Sequence, residues 1–152
     1  MKYLLTLLAL LMPAQLLAQD TVSLNSEVFI ERVVKQADGS EALKLETPGT
    51  VVPGDKLVFL TTYKNRGAKP ADNFEATNPI PAAVAFEAAE GAATVSVDGG
   101  KSWGALASLK VKAADGTERS AVPADVTHVR WTFADAVPAG QEGKLRFRGI
   151  VR

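Results

Sequence analysis

The chain contains no cysteine and a single histidine, His128. Without cysteine there is no disulfide framework, thiolate metal site, cysteine nucleophile or thiol redox pair. One imidazole is too few for a histidine metal site within one chain, so no metal and no cofactor is expected. An excess of one charge is also lacking, because 17 Lys+Arg balance 17 Asp+Glu in 152 residues. Nucleic-acid binders carry a basic excess, so nucleic acid is not an expected partner. After Met12 there is no long hydrophobic run, so no transmembrane span is expected beyond the extreme N-terminus.

What is present begins with an address. Lys2 precedes the apolar run Leu4–Met12, followed by Pro13, Gln15 and a small residue at Ala18. This is the pattern of a secretory signal peptide over residues 1–18. The run is too short for a bilayer core, which needs about 20 apolar residues. The expected product is a single domain over residues 19–152, exported to the periplasm or the cell surface. No cysteine follows the leader, so lipoprotein anchoring is excluded.

The remainder alternates short apolar runs with turn residues. Runs at Val22–Gln36, Glu41–Glu46, Lys56–Lys64, Asn73–Thr77, Val84–Glu87, Ala93–Val97, Ser108–Lys112, Val126–Phe133 and Lys144–Val151 are separated by Gly, Pro, Asp and Asn. The reading is an all-β, antiparallel sandwich of about seven to ten strands. Ala82–Ala92 is Ala-rich but has no amphipathic stripe, and reads as a loop and a strand. Val129, Trp131 and Phe133 share one face of their strand, and Leu145, Phe147 and Val151 share one face of the last. Lys56–Lys64 is apolar on both parities and reads as a central strand covered on both sides.

The opposite face of the last strand carries Lys144, Arg146 and Arg148. If the strand of Arg130 pairs beside it, His128 and Arg130 extend a basic stripe toward an anionic partner. His128 has no acid nearby in sequence and no Gly-x-Ser-x-Gly elbow accompanies it, so an exposed, inert histidine is expected. Ser96-Val97-Asp98-Gly99-Gly100-Lys101-Ser102-Trp103 has the form of an Asp-box hairpin, in which the acid accepts turn amides and the Trp packs beneath. Trp103 as a sugar-stacking platform and Asp98 as a calcium ligand are the alternatives there; calcium wants six or more oxygens.

Thr50-Val51-Val52-Pro53-Gly54-Asp55 leads into Lys56-Leu57-Val58-Phe59, then Tyr63-Lys64-Asn65-Arg66-Gly67, Pro70-Ala71-Asp72-Asn73-Phe74 and Asn78-Pro79-Ile80-Pro81. Val129-Arg130-Trp131-Thr132-Phe133 and Val137-Pro138-Ala139-Gly140 follow near the end. In this order they resemble the conserved-repeat domain of bacterial and archaeal surface proteins, the domain of unknown function eleven, over roughly residues 45–151. The resemblance implies an immunoglobulin-like sandwich in an exported envelope protein, and carries over no catalytic or ligand residue. Asn78 stands where that family has Asp, and a single copy is present. Locally, Gly54 and Gly67 are expected at positive φ, with Asn65 bonding the turn backbone. A Lys–Asn crosslink would require Lys56 or Lys64 to meet Asn78.

Together these readings describe a non-catalytic structural or interaction module of the cell envelope. Its expected partner is an envelope protein or surface polysaccharide, and self-assembly by strand addition through Val22–Val34 is a variant. The alternative is a carbohydrate-binding module using Trp103 or the basic face of Arg130, Lys144, Arg146 and Arg148. Export predicts that intact-mass analysis of the exported protein will find a chain beginning at or close to Gln19. A soluble envelope form retaining Met1 would refute processing.

Overall fold

The structure is a computed structural model that describes residues 21–152; the leader read into residues 1–18 lies outside them. Its strands are β1 (Val22–Lys35), β2 (Glu41–Glu46), β3 (Lys56–Asn65), β4 (Glu75–Pro79), β5 (Val84–Ala89), β6 (Ala93–Ser96), β7 (Lys110–Lys112), β8 (Glu118–Ser120), β9 (His128–Thr132) and β10 (Glu142–Val151). They form a five-stranded sheet in the order β2-β1-β3-β10-β5, a three-stranded sheet β4-β9-β6, and a separate β7–β8 hairpin. Every pairing is antiparallel. The fold is an all-β antiparallel sandwich. From β3 to β6 the chain changes sheet at each strand, which makes successive short apolar runs cover the core from alternate sides.

The core lies between the sheets. Tyr63, Phe86, Leu145 and Phe147 from the larger sheet meet Ala76, Val95, Val129 and Trp131 from the smaller. The two faces expected for β9 and β10 are those observed, because period-2 alternation needs only one buried side to become legible. Phe59 and Phe147 are direct cross-strand partners, and their rings stack 4.4 Å apart. Trp131 is 4% exposed, and its indole N–H donates to the Glu90 carbonyl at 2.8 Å. A second cluster of Ile30, Leu57, Val84 and Val151 fills the other end of the large sheet.

β3 is central, as its double-sided apolar pattern predicts. Val58 points away from the sandwich core yet is 1% exposed. Its cross-strand neighbours on that outer face are Phe29 and Arg148. Ala82–Ala92 supplies β5 and its flanking turns, also as read. β8 was not legible: Glu118-Arg119-Ser120 is wholly exposed, and a strand that buries nothing leaves no hydrophobic period.

Polar side chains close the turns around this core. Gly54 has φ 93°, and the Asp55 carboxylate accepts the Val52 amide and an Arg32 N–H, each at 2.9 Å. Asn65 is fully buried; its Oδ1 accepts the Gly67 amide, and its Nδ2 donates to Lys69 O and Val137 O. Gly67 corrects its reading: it is absent from the positive-φ residues. A Cβ there would lie 3.0 Å from Thr21 Cβ and 3.2 Å from Asn65 Oδ1, so what crowds a side chain here is space and not φ.

Asn78 donates its amide to the Thr61 hydroxyl on the inner face of β3. Lys56 and Lys64, on the outer face, pair with Glu87 and Glu142, so no Lys–Asn crosslink is set up.

The burial of Trp131 predicts that Trp131→Ala will cost about 3–5 kcal/mol in urea melts. A loss below about 1 kcal/mol would place the ring outside the energetic core, against the usual cost of deleting a buried aromatic.

Candidate functional site

The five-residue basic stripe does not form. β9 pairs with β4 and β6, and β10 pairs with β3 and β5, so Arg130 lies on a different sheet from Lys144, Arg146 and Arg148. The proximity of the two strands in sequence favoured a hairpin. Burial of both apolar faces against each other instead puts them in opposing layers.

The arginines are also more committed than their spacing revealed. Arg146 pairs with Glu90 at 3.0 Å, Arg148 reaches Glu31 at 3.7 Å, and Arg130 reaches Glu75 at 3.5 Å. The Nε atoms of Arg146 and Arg148 are buried without a hydrogen-bond acceptor, so both stems are packed into the sheet surface and are not freely solvated. Arg148 thereby serves as cover for Val58. Lys144 differs: it is exposed and has no carboxylate partner among the described residues.

Beside Lys144 the sandwich opens. β5 ends at Ala89 and β6 begins at Ala93, so the crossing loop Glu90–Ala92 leaves both sheets without an edge strand there. Glu90 makes the last backbone bond, its N–H donating to Arg146 O at 2.9 Å. Beyond it lies a cleft of about 400 Å³, mostly apolar, whose lining includes Trp131, Phe133 and Leu145, with Lys144, Arg146 and Glu90 at its polar margin. Sequence reading assigned Trp131 and Leu145 to the core and missed the opening between them. The signal for it is the short step from β5 to β6, which leaves the ends of β9 and β10 uncovered.

Trp103 sits in the Asp-box turn, whose polar groups are largely used within the turn. The Asp98 carboxylate accepts from the Ser96 and Ser102 hydroxyls at 2.7 and 2.6 Å and from the Lys101 and Ser102 amides at 3.0 Å. The Ser102 bonds, with help from Ser96, hold this carboxyl far below the usual carboxylate range. The Trp103 N–H donates to Gly100 O at 3.0 Å, and the Arg130 guanidinium lies 3.8 Å over the indole ring. A charge held at that distance is a cation–π contact, and it occupies one face that a sugar would need.

His128 is half-buried, not exposed as expected. Its ring meets the edge of Trp103 at 6.3 Å, and Nδ1 is 3.1 Å from the Thr127 hydroxyl. Arg130, Trp103 and His128 thus form a structural cluster on the smaller sheet, remote in topology from β10.

The remaining charged feature ties down the β7–β8 hairpin. Arg119 grips Asp125 with two bonds of 2.7 Å, and the Val122 amide adds a third at 2.8 Å. The Arg119 bonds chiefly lower the Asp125 carboxyl to about 2. A carboxylate depressed on folding stabilises the folded form fully above its ordinary value, and the gain is lost as pH falls through the folded value. Hydrogen exchange of the hairpin amides, corrected for intrinsic rates, should therefore speed up between about pH 4 and pH 2. Asp125→Asn should show the faster exchange already at pH 5 and lose this dependence; an unchanged wild-type profile would refute the clamp. No known protein family, curated protein or solved structure matches the chain, so its function is read from this geometry.

Proposed function

We propose that the protein is an exported, non-catalytic interaction module of the bacterial cell envelope whose contact site is the cleft between β9 and β10. The observation that carries this is the pairing of an apolar lining with an unneutralised lysine at its margin: Trp131, Phe133 and Leu145 beside Lys144. An apolar concavity with a few convergent polar groups is the usual form of a binding site. Next to it, among the described residues, β10 lacks a strand partner beyond Arg146 on the β5 side, so its backbone can add to an extended chain. These features fit an extended peptide segment with alternating apolar and acidic side chains, from another envelope protein. The apolar side chains enter the cleft and the acids face Lys144.

A polysaccharide partner is less well served. Trp103, the aromatic best placed for a sugar, already stacks with Arg130 and donates its N–H within its own turn. The acidic-peptide reading also explains why the charge is a lysine at an exposed position. An exposed ion pair contributes only about 0–1 kcal/mol to stability, so Lys144 costs little to keep unpaired. It can still attract an anion across a Debye length of about 8 Å at physiological salt.

Binding of a fluorescent peptide of alternating Glu and Ile, compared with a Lys-Ile counterpart, tests the reading. The acidic peptide should bind more tightly, with affinity falling as salt rises. Lys144→Glu should weaken it roughly tenfold, about 1.4 kcal/mol, while leaving the melting temperature nearly unchanged. Equal binding of the two peptides, or indifference to Lys144→Glu, would overturn the site.

A further inference from the structure

A second surface stands apart from the cleft. β1 is 14 residues long. Along one edge β3 pairs with Val22–Ile30, but along the other β2 reaches only Ile30–Lys35. The edge of Val22–Phe29 opposite β3 therefore has no strand partner among the described residues. Leu24, Asn25, Ser26, Glu27 and Val28 are exposed in unbroken succession. Leu24 and Val28, 47% and 37% exposed, lie on the inner face with Ser26, whose cross-strand partner is the buried Thr61. Sheet edges are ordinarily blunted by lysine, proline or a bulge. This segment has no lysine or proline, keeps a regular register with β3, and carries Glu27 as its single charge.

We propose that a second copy of the chain adds to this edge, β1 against β1, antiparallel about a twofold axis through Ser26. The register follows from the side chains. Directly opposed residues of an antiparallel pair point to the same side, so only a centre that pairs equal parities continues the inner face across both copies. Centring on Ser26 sets Leu24 opposite Val28 of the second copy and Val28 opposite its Leu24, covering the two exposed apolar side chains with each other. It also sets Glu27 opposite Asn25. Centring on Glu27 would oppose the two carboxylates directly, which is destabilising. Centring on Asn25 would leave Leu24 against Ser26. Glu46 of β2 occupies the position opposite Ile30, so the shared ladder ends at Ser23 and Phe29, and the two chains diverge beyond it, where Val22 stays paired with Asn65 of its own β3.

The absence of cysteine allows a direct test on the full chain as the cell processes it. In the proposed register residue 26 faces its own symmetry mate, with Cα atoms about 4.5–5.5 Å apart, within the span of a disulfide. Residues 25 and 27 face their mates only diagonally, at about 7–8 Å, at or beyond that span. Ser26→Cys should cross-link to a covalent dimer under mild oxidation roughly tenfold faster than Asn25→Cys or Glu27→Cys, by the span a disulfide tolerates. Light scattering should give twice the chain mass for the wild type, and the chain mass for Leu24→Lys combined with Val28→Lys. Circular dichroism and melting temperature report the folding of that variant separately. A wild-type monomer at high micromolar concentration, or cross-linking no faster at 26 than at 27, would overturn the proposal.

Discussion

Asn65 latches the turn that puts β9 and β10 in place, and the rest of the sandwich depends on those two strands. Among the described residues, β9 is the only strand holding β4 and β6, and β10 is the only one holding β5 and the second neighbour of β3. The turn joining them is bound where β3 ends. Asn65 Nδ2 donates to Val137 O at 2.8 Å, and the Gly140 amide donates to Asn65 O at 2.9 Å. With this turn fixed, β10 aligns along β3 from Glu142 opposite Lys64 to Ile150 opposite Lys56, and Phe147 falls on Phe59. The Asn65 side chain can do this because it is fully buried and all its amide groups are used, the condition under which a buried polar group stabilises and does not cost. In a chain without disulfides, this contact across sequence-distant segments does the closing that a cross-link does in many exported domains.

The dependence has a consequence for assembly of the fold. β9 is the middle strand of the smaller sheet and β10 joins β5 to β3 in the larger, so neither sheet is complete until the C-terminal residues are available. Contacts of high sequence separation must be made before β4, β5 and β6 gain their neighbours, and such closure is entropically slow. Local turn bonds offset part of that cost by fixing short segments early. Asp38 with Ser40, Asp98 with Ser96 and Ser102, and Asp115 with Thr117 each close a turn through one carboxylate. In each case these bonds pull the carboxyl below its ordinary value.

What was legible in the sequence follows the same division. Alternation revealed the buried faces of β9 and β10, and double-sided hydrophobicity revealed β3 as central, because burial writes its period directly into composition. Turn chemistry at Gly54, Asn65 and Asp98 was legible because it is local. Sheet partnership was not. The basic stripe failed because sequence shows which face Arg130 and Arg146 occupy but not which layer. The acids that engage Arg130, Arg146 and Arg148 are Glu75 on β4, Glu90 in the loop after β5 and Glu31 on β1, all distant in sequence. Gly67 failed for a related reason: the atoms that crowd a Cβ there belong to Thr21 and Asn65, a neighbourhood that only the tertiary fold defines. The cleft escaped notice because it is made by what ends nearby, at Ala89 and Ala93, and not by any motif.

The two open places on the sandwich differ in kind, and the difference follows from which strands run out. At the cleft, both sheets lose an edge strand together, so the gap is bordered by core side chains and has a volume of about 400 Å³. At β1, one sheet alone lacks a strand, so the opening is a flat backbone edge with two apolar side chains on one face. A gap beside an exposed lysine would suit an unlike partner of opposite charge. A flat edge bearing one acid, with its apolar residues spaced symmetrically about Ser26, is complementary to itself. The five-stranded order keeps the sites apart, because β3 stands between β1 and β10. A copy added at β1 extends the sheet away from the cleft, so two chains joined there each keep a basic cleft free. An assembly of that form would present two equivalent sites to one partner, and linked sites raise avidity without any new contact.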